Sequence, residues 1–412
     1  MDLTHFKRNY LLGIANGILF NIAFTFISGS TILPAFLSRL TTSSFLIGTV
    51  ASLEEIGWLL PQHFVAGFVQ SRKRKKPVYM VMAIFRSLVF SLLALSVFLL
   101  ADRQSHLVIV FFILFCLFAV SGGIAGVAFL DIVGKTIPAN KRGSFYGWRI
   151  SVGGALSFLA SLTVIRIVLK SFSFPHNYGT LFVINFFIIV AALTAFCLIK
   201  EPPSLMITKR NSLFEHLRRG FEILRQDINY RRLLIFRWLV SSFYMGFPFY
   251  ILFAMKRFGV SESTVGVFLA VQMFGVVTST LLWGWLSNNA SIRIALQLTA
   301  VVTILPPTLV LISTVVQIPL VLYGVIFFFL GAFYSGIRTG YQSFLLAIAP
   351  EKERPTYVGM MNTFIAPTLL FSGIGGLILD VTSFPILFVL VLLLGLGAFL
   401  ASLKLKEPQP EQ

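Results

Sequence analysis

Few ionisable residues in this chain stand where chemistry is possible. Glu54 and Glu55 are adjacent within an apolar run over residues 44–69. A carboxylate among apolar neighbours can take up and release a proton. Arg86 falls nine residues after Pro77 in the next apolar run, about 14 Å in by helical rise. It can neutralise one glutamate as an internal ion pair. Adjacent helical residues point about 100° apart, so the other glutamate can face a cavity. Arg338 lies twelve residues before Pro350, about 18 Å deep. Tyr334 and Tyr341 share its helical face, and Gly336 and Gly340 flank it. An arginine between two tyrosines suits a carboxylate or phosphate. The competing reading ties Arg338 to a carbonyl or a glutamate. Asn21, Tyr244, Gln272 and Asn362 can complete a polar and aromatic pocket, or equally bond between helices.

Other chemistries find no footing. Cys116 and Cys197 both fall in apolar runs and read as small buried hydrophobes. The five histidines are scattered, with no His-Glu-x-x-His. Gly134-Lys135-Thr136 invites a phosphate-loop reading, but Phe129 stands where the loop needs glycine. No nucleophile–base pair or metal constellation emerges, so an enzyme is not expected, and no cofactor is implied.

The elements that position these residues follow from composition. The 412 residues are 57% hydrophobic and 12% charged, against about 25% charged in a soluble domain. Mean hydropathy is +0.89. A membrane-crossing helix needs roughly 20 apolar residues. Twelve spans are predicted, over residues 10–28, 44–69, 78–100, 107–130, 147–169, 180–199, 233–253, 263–286, 294–315, 318–348, 357–378 and 384–402. Twelve spans place both termini on one side. The terminal segments and the loops on their side hold 24 of the 33 basic residues, which makes that side cytoplasmic. This distribution accounts for the net charge of +18 without nucleic acid.

Residues 200–232 form the one long loop and separate residues 1–199 from 233–412. Ser212 and Glu215 resemble a helix capping box. Leu213, Phe214, Leu217, Phe221 and Leu224 follow at helical spacing among arginines. The pattern predicts a basic amphipathic helix on the membrane surface; a solvated linker is the plainer reading. The two halves echo each other. Pro138-x3-Arg142-x4-Gly147 returns as Pro350-x3-Arg354-x4-Gly359. Gly48, Gly57 and Gly67 of span 2 return as Gly266, Gly275 and Gly284 of span 8. Gln272 is the counterpart of Glu54.

On these residues the chain resembles the major facilitator superfamily over nearly its whole length. The family signature after helix 2, Gly-x3-Asp-Arg-x-Gly-Arg-Arg, aligns with Gly67-Phe-Val-Gln-Ser71-Arg72-Lys73-Arg74-Lys75-Lys76. Ser71 replaces the family's aspartate and Arg74 its second glycine. Asp131 matches an acid often found at the end of helix 4, and Arg142-Gly143 also fits. The resemblance implies two six-helix bundles, with helices 1, 4, 7 and 10 lining a central cavity. It implies a cytoplasmic gate in which the basic loop faces Asp131; Gly67, Arg72, Asp131, Arg142 and Arg354 are its candidates. The Gly-Pro pair of the antiporter signature is absent, since span 5 carries Gly153-Gly154. The expectation is an all-α secondary transporter in the bacterial inner membrane. It would act as a monomer by alternating access on a small anionic or amphipathic organic solute, with protons as a candidate partner beside membrane lipids. Two other classes stay open: a lipid flippase or scramblase, and a receptor with this fold that no longer transports.

Overall fold

In a computed structural model, residues 5–203, 213–350 and 353–407 are described, and among them the structure is helical with no strand. The first six spans are α1 (Phe6–Phe26), α2 (Ser44–Gln70), α3 (Lys76–Leu99), α4 (Gln104–Thr136), α5 (Ala139–Ala160, then Arg166–Ser171) and α6 (His176–Cys197). The last six are α7 (Ile228–Ser241, then Phe249–Phe258), α8 (Glu262–Asn289), α9 (Ile292–Val315), α10 (Leu320–Ile348), α11 (Arg354–Ile365, then Phe371–Val381) and α12 (Phe384–Leu403). Eleven are long and apolar enough to cross a membrane among the described residues, and α2, at 27 residues, matches the remaining predicted span.

Local chemistry sets the helix ends. Pro138, Pro175 and Pro319 occupy the position before α5, α6 and α10, where a missing N–H costs nothing. The Asp227 carboxylate caps α7, accepting from the backbone N–H groups of Asn229 and Tyr230 at 2.8 and 2.9 Å. Three spans are interrupted, which hydropathy did not foretell. α7 tightens into a 3-10 turn at Ser242–Met245, just before Gly246 and Pro248. α11 does so at Ala366–Leu370, where Pro367 lacks the N–H that a helix uses. α5 widens into a π turn at Ser161–Ile165.

The chain forms two compact units. One comprises Met1–Thr42, Val50–Arg210 and Val260–Ala270; the other comprises Ser43–Thr49, Asn211–Gly259 and Val271–Gln412. In the first, α1 packs on α5 and α6, and α3 on α4 and α6. In the second, α7 packs on α11 and α12, and α9 on α10 and α12. Adding six to each helix number turns the first pattern into the second. Glycines repeat as well. A Cβ on Gly57 of α2 would lie 2.8 Å from the Ala119 carbonyl carbon of α4. A Cβ on Gly275 of α8 would lie 3.0 Å from the Phe328 carbonyl carbon of α10. Each contact lets two backbones cross in van der Waals range.

The segment after α6 contains a helix, Leu213–Gln226. It packs on α11 and α7 of its own unit, with Phe221 edge-on to Phe364 at 5.4 Å. Arg219 bonds Glu222 at 3.1 Å and also Glu353. Ser212 lies outside the described residues, as do the side chains of Leu213, Phe214, Glu215 and Leu217.

Candidate functional site

In the first unit the central polar group is Arg86 of α3, 5% exposed. Its guanidinium lies 4.4 Å over the Phe118 ring and 5.5 Å from that of Phe20. Gly122 makes the room, since a Cβ there would stand 3.2 Å from the guanidinium carbon. The Arg86 Nε is buried without a hydrogen-bond partner among the described residues. Glu54 is half-buried on α2. The expected internal pair does not close with Glu54: no ion pair within 4.0 Å joins the two among the described residues. Glu55 is half-buried on the same helix. Asn21 gives its amide to the Gly17 and Arg149 carbonyls at 2.8 and 3.2 Å, which is the interhelical bonding weighed above.

Arg149, two residues into the predicted span 147–169, is well inside α5. It donates to the Gly13 carbonyl of α1 at 2.6 Å. It lies 5.0 and 5.1 Å from the rings of Phe129 and Phe145. Gly17 makes room for the Arg149 side chain, and Gly13 makes room for the Phe145 ring. That glycine pair, four apart in span 1, was the available signal.

In the second unit α10 divides its residues. Arg338 and Tyr334 are exposed, whereas Tyr341 is 6% exposed. A charged side chain exposed at this depth is sustained by water or a ligand, because lipid would not tolerate it. Gly336 and Gly340 do not serve Arg338; they face Thr299 and Leu296 of α9. Tyr341 instead meets Arg237 of α7, whose guanidinium lies 5.2 Å from the ring. Arg237 donates to Ser241 Oγ at 2.7 Å. Its Nε and the Tyr341 hydroxyl are buried without partners among the described residues. Tyr244 packs on Phe333 at 5.4 Å. Gln272 is buried, with α10 crossing at Gly331 beside it. Asn362 is exposed on α11.

The loop between α2 and α3 does reach Asp131, but through a different residue than expected. Arg72 is exposed and rests 4.7 Å from the Phe68 ring. Lys75, 2% exposed, comes within 3.8 Å of Asp131, which also pairs with Lys135. Burial pushes the Lys75 ammonium below the ordinary lysine value, against the pull of Asp131. The organising acid is Glu201, just beyond α6. It accepts from the backbone N–H groups of Lys75 and Lys76 at 2.9 and 2.8 Å, and from Lys135 Nζ at 3.0 Å. Gly67 lies in the last turn of α2. Arg142 donates to the Ile137 and Gly134 carbonyls, closing the end of α4. Arg354 opens α11 with a buried Nε that has no partner among the described residues.

The family model described as Major Facilitator Superfamily matches residues 14–366 and again 241–412. No curated protein matches the sequence. Among solved structures, the fold is similar to a D-xylose-proton symporter at 14% identity and a TM-score of 0.73, covering 98% of this chain and 99% of that one. It is similar to a mutant form of the nucleoside transporter NupG at 14% identity and 0.71, covering 97% and 98%. It is also similar to the partially occluded inward-open xylose transporter XylE from E. coli, at 13% and 0.70, covering 97% and 99%.

Proposed function

The chain belongs to the major facilitator superfamily, and from that premise we propose that it carries a small anionic or amphipathic organic solute across the bacterial inner membrane by alternating access. A proton taken up at Glu54 is the proposed driving ion, and a monomer the working unit. The observation that carries the solute class is a pair of donors inside the spans of the second unit that lack partners among the described residues: Arg237 Nε and the Tyr341 hydroxyl. Leaving one buried donor unmatched costs about 1–3 kcal/mol. A carboxylate, sulfonate or phosphate would relieve it and would also satisfy the exposed Arg338.

For coupling, the matched positions of the repeat differ: α2 carries the carboxyl of Glu54 where α8 carries the amide of Gln272. The likeness to a proton symporter lends weight to this reading. The basic loops favour cytoplasmic termini.

The test is thermal stability of the detergent-purified protein against organic anions, sugars, nucleosides and lipids, at mildly acidic and at neutral pH. The expected result is an organic anion that stabilises the wild type but neither Arg338→Ala nor Arg237→Gln. Reconstituted with that anion, Glu54→Gln should keep exchange between equal pools and lose accumulation driven by a pH gradient. Stabilisation by lipids alone would move the reading to lipid transport.

A further inference from the structure

A cavity of about 500 Å³ opens within the second unit, where α7 and α11 end and α12 starts, at the far end of α12 from the C-terminus. Its size lies within the range of about 300–1,000 Å³ that holds small-molecule ligands. Lys256 and Arg257 of α7 supply two cations; Phe253, Leu379 and Phe384 supply apolar wall; Ser383 adds a hydroxyl. Neither cation closes an ion pair among the described residues. Lys256 Nζ lies 5.6 Å from the Phe384 ring. Arg257 gives Nε to the Ser313 carbonyl at 3.2 Å. The acid beside this wall, Asp380, pairs with neither cation: it accepts from the backbone N–H groups of Ser44, itself a wall residue, and Phe45 at 2.6 and 3.0 Å. α12 starts at the same wall, and its N-cap residue Ser383 makes no side-chain capping bond. The positive end of that 20-residue helix therefore adds to the two cations. Beyond the cavity the surface turns apolar, with Val381 82% and Ile386 53% exposed.

We propose that this cavity binds the phosphate headgroup of an anionic phospholipid in the leaflet opposite the termini. Phosphate answers the cations and the helix end. A net negative charge matches two cations that close no ion pair among the described residues better than a zwitterion does. The apolar wall and the exposed apolar rim suit the glycerol and upper acyl chain, which free phosphate lacks. None of the arginines assigned to the solute lines this cavity, so lipid binding and solute transport can fail separately.

The probe is native mass spectrometry of the detergent-purified full chain titrated with phosphatidylglycerol, phosphatidylcholine or inorganic phosphate, read beside thermal stability. Phosphatidylglycerol should bind the wild type more tightly than phosphatidylcholine. Lys256→Gln with Arg257→Gln should weaken it about 10- to 30-fold. If the double variant misfolds, each single variant should weaken phosphatidylglycerol about three- to fivefold instead. Equal binding by wild type and variants would overturn the site. Equal binding of the two lipids would overturn the requirement for net charge. If inorganic phosphate stabilises the wild type through the same residues and phosphatidylglycerol does no better, the lipid assignment is overturned in favour of a soluble phosphate.

Discussion

Glu201 shows how one side chain can stand in for a missing one. The signature loop carries Ser71 where the family has aspartate, yet the α3 start is still held by a carboxylate, delivered from the end of α6. Glu201 is 1% exposed beside Lys135. Removing one partner of such a buried pair costs about 3–5 kcal/mol, so Glu201→Gln should lower the melting temperature in detergent sharply. Asp131→Asn, at a carboxylate 31% exposed that faces Lys75 at 3.8 Å, should lower it less than Glu201→Gln does. Equal melting of Glu201→Gln and wild type would mean that the cluster does not hold the loop. Arg338 and Glu54 were legible in the sequence because a charge stands out in an apolar run. Glu201 was not, because an acid beside Lys200 and two prolines looks like any solvated loop. Arg149 was missed for another reason: two residues inside the predicted span 147–169, it looks like one more charge at the membrane edge, whereas α5 starts about two turns before that span.

Whole helices were the most legible layer, since all twelve spans appear as helices, most within four residues of the expected bounds; α5 starts eight residues early, α4 ends six residues late and α7 is five residues longer at each end. Their interruptions were less legible, because a π or 3-10 turn leaves composition almost unchanged. Gly57 and Gly275 predict how the helices meet. Valine at either would press on a crossing backbone rather than on a flexible side chain. Each substitution should cost about 1–3 kcal/mol, read as a drop in melting temperature, whereas Gly284→Val, with open space around it, should not. The helix Leu213–Gln226 supplies a pH dependence. The hydrogen bond from Arg219 holds the Glu222 carboxyl below the usual carboxylate range. The resulting stabilisation is present above the ordinary value of 4.5 and is lost as pH falls below it. Amide-exchange protection of this helix, corrected for intrinsic rates, should therefore decline in that window. Constant protection would show that apolar contacts such as Phe221–Phe364 hold it alone.

At the scale of the molecule, the charge asymmetry predicts sidedness. With Cys116 and Cys197 replaced by serine, a cysteine at Ser71 should react with an impermeant maleimide only in inside-out vesicles. One at Gly259 should react only in intact cells. The reverse pattern would invert the topology. The repeat was partly visible in matched glycines and Pro-x3-Arg-x4-Gly segments, but the shared packing pattern of the units was not, because helix neighbours are set by three-dimensional contacts rather than by spacing. The seat of the helix Leu213–Gln226 has a consequence in time. Arg219 bonds Glu353, 134 residues further along the chain. At about 5–20 residues per second, a ribosome takes on the order of ten seconds to reach that partner. During synthesis a basic helix with an apolar face thus waits without its final contacts. The bilayer surface beside the translocon is its natural temporary berth, and a nascent chain stalled before α11 should be found holding it there.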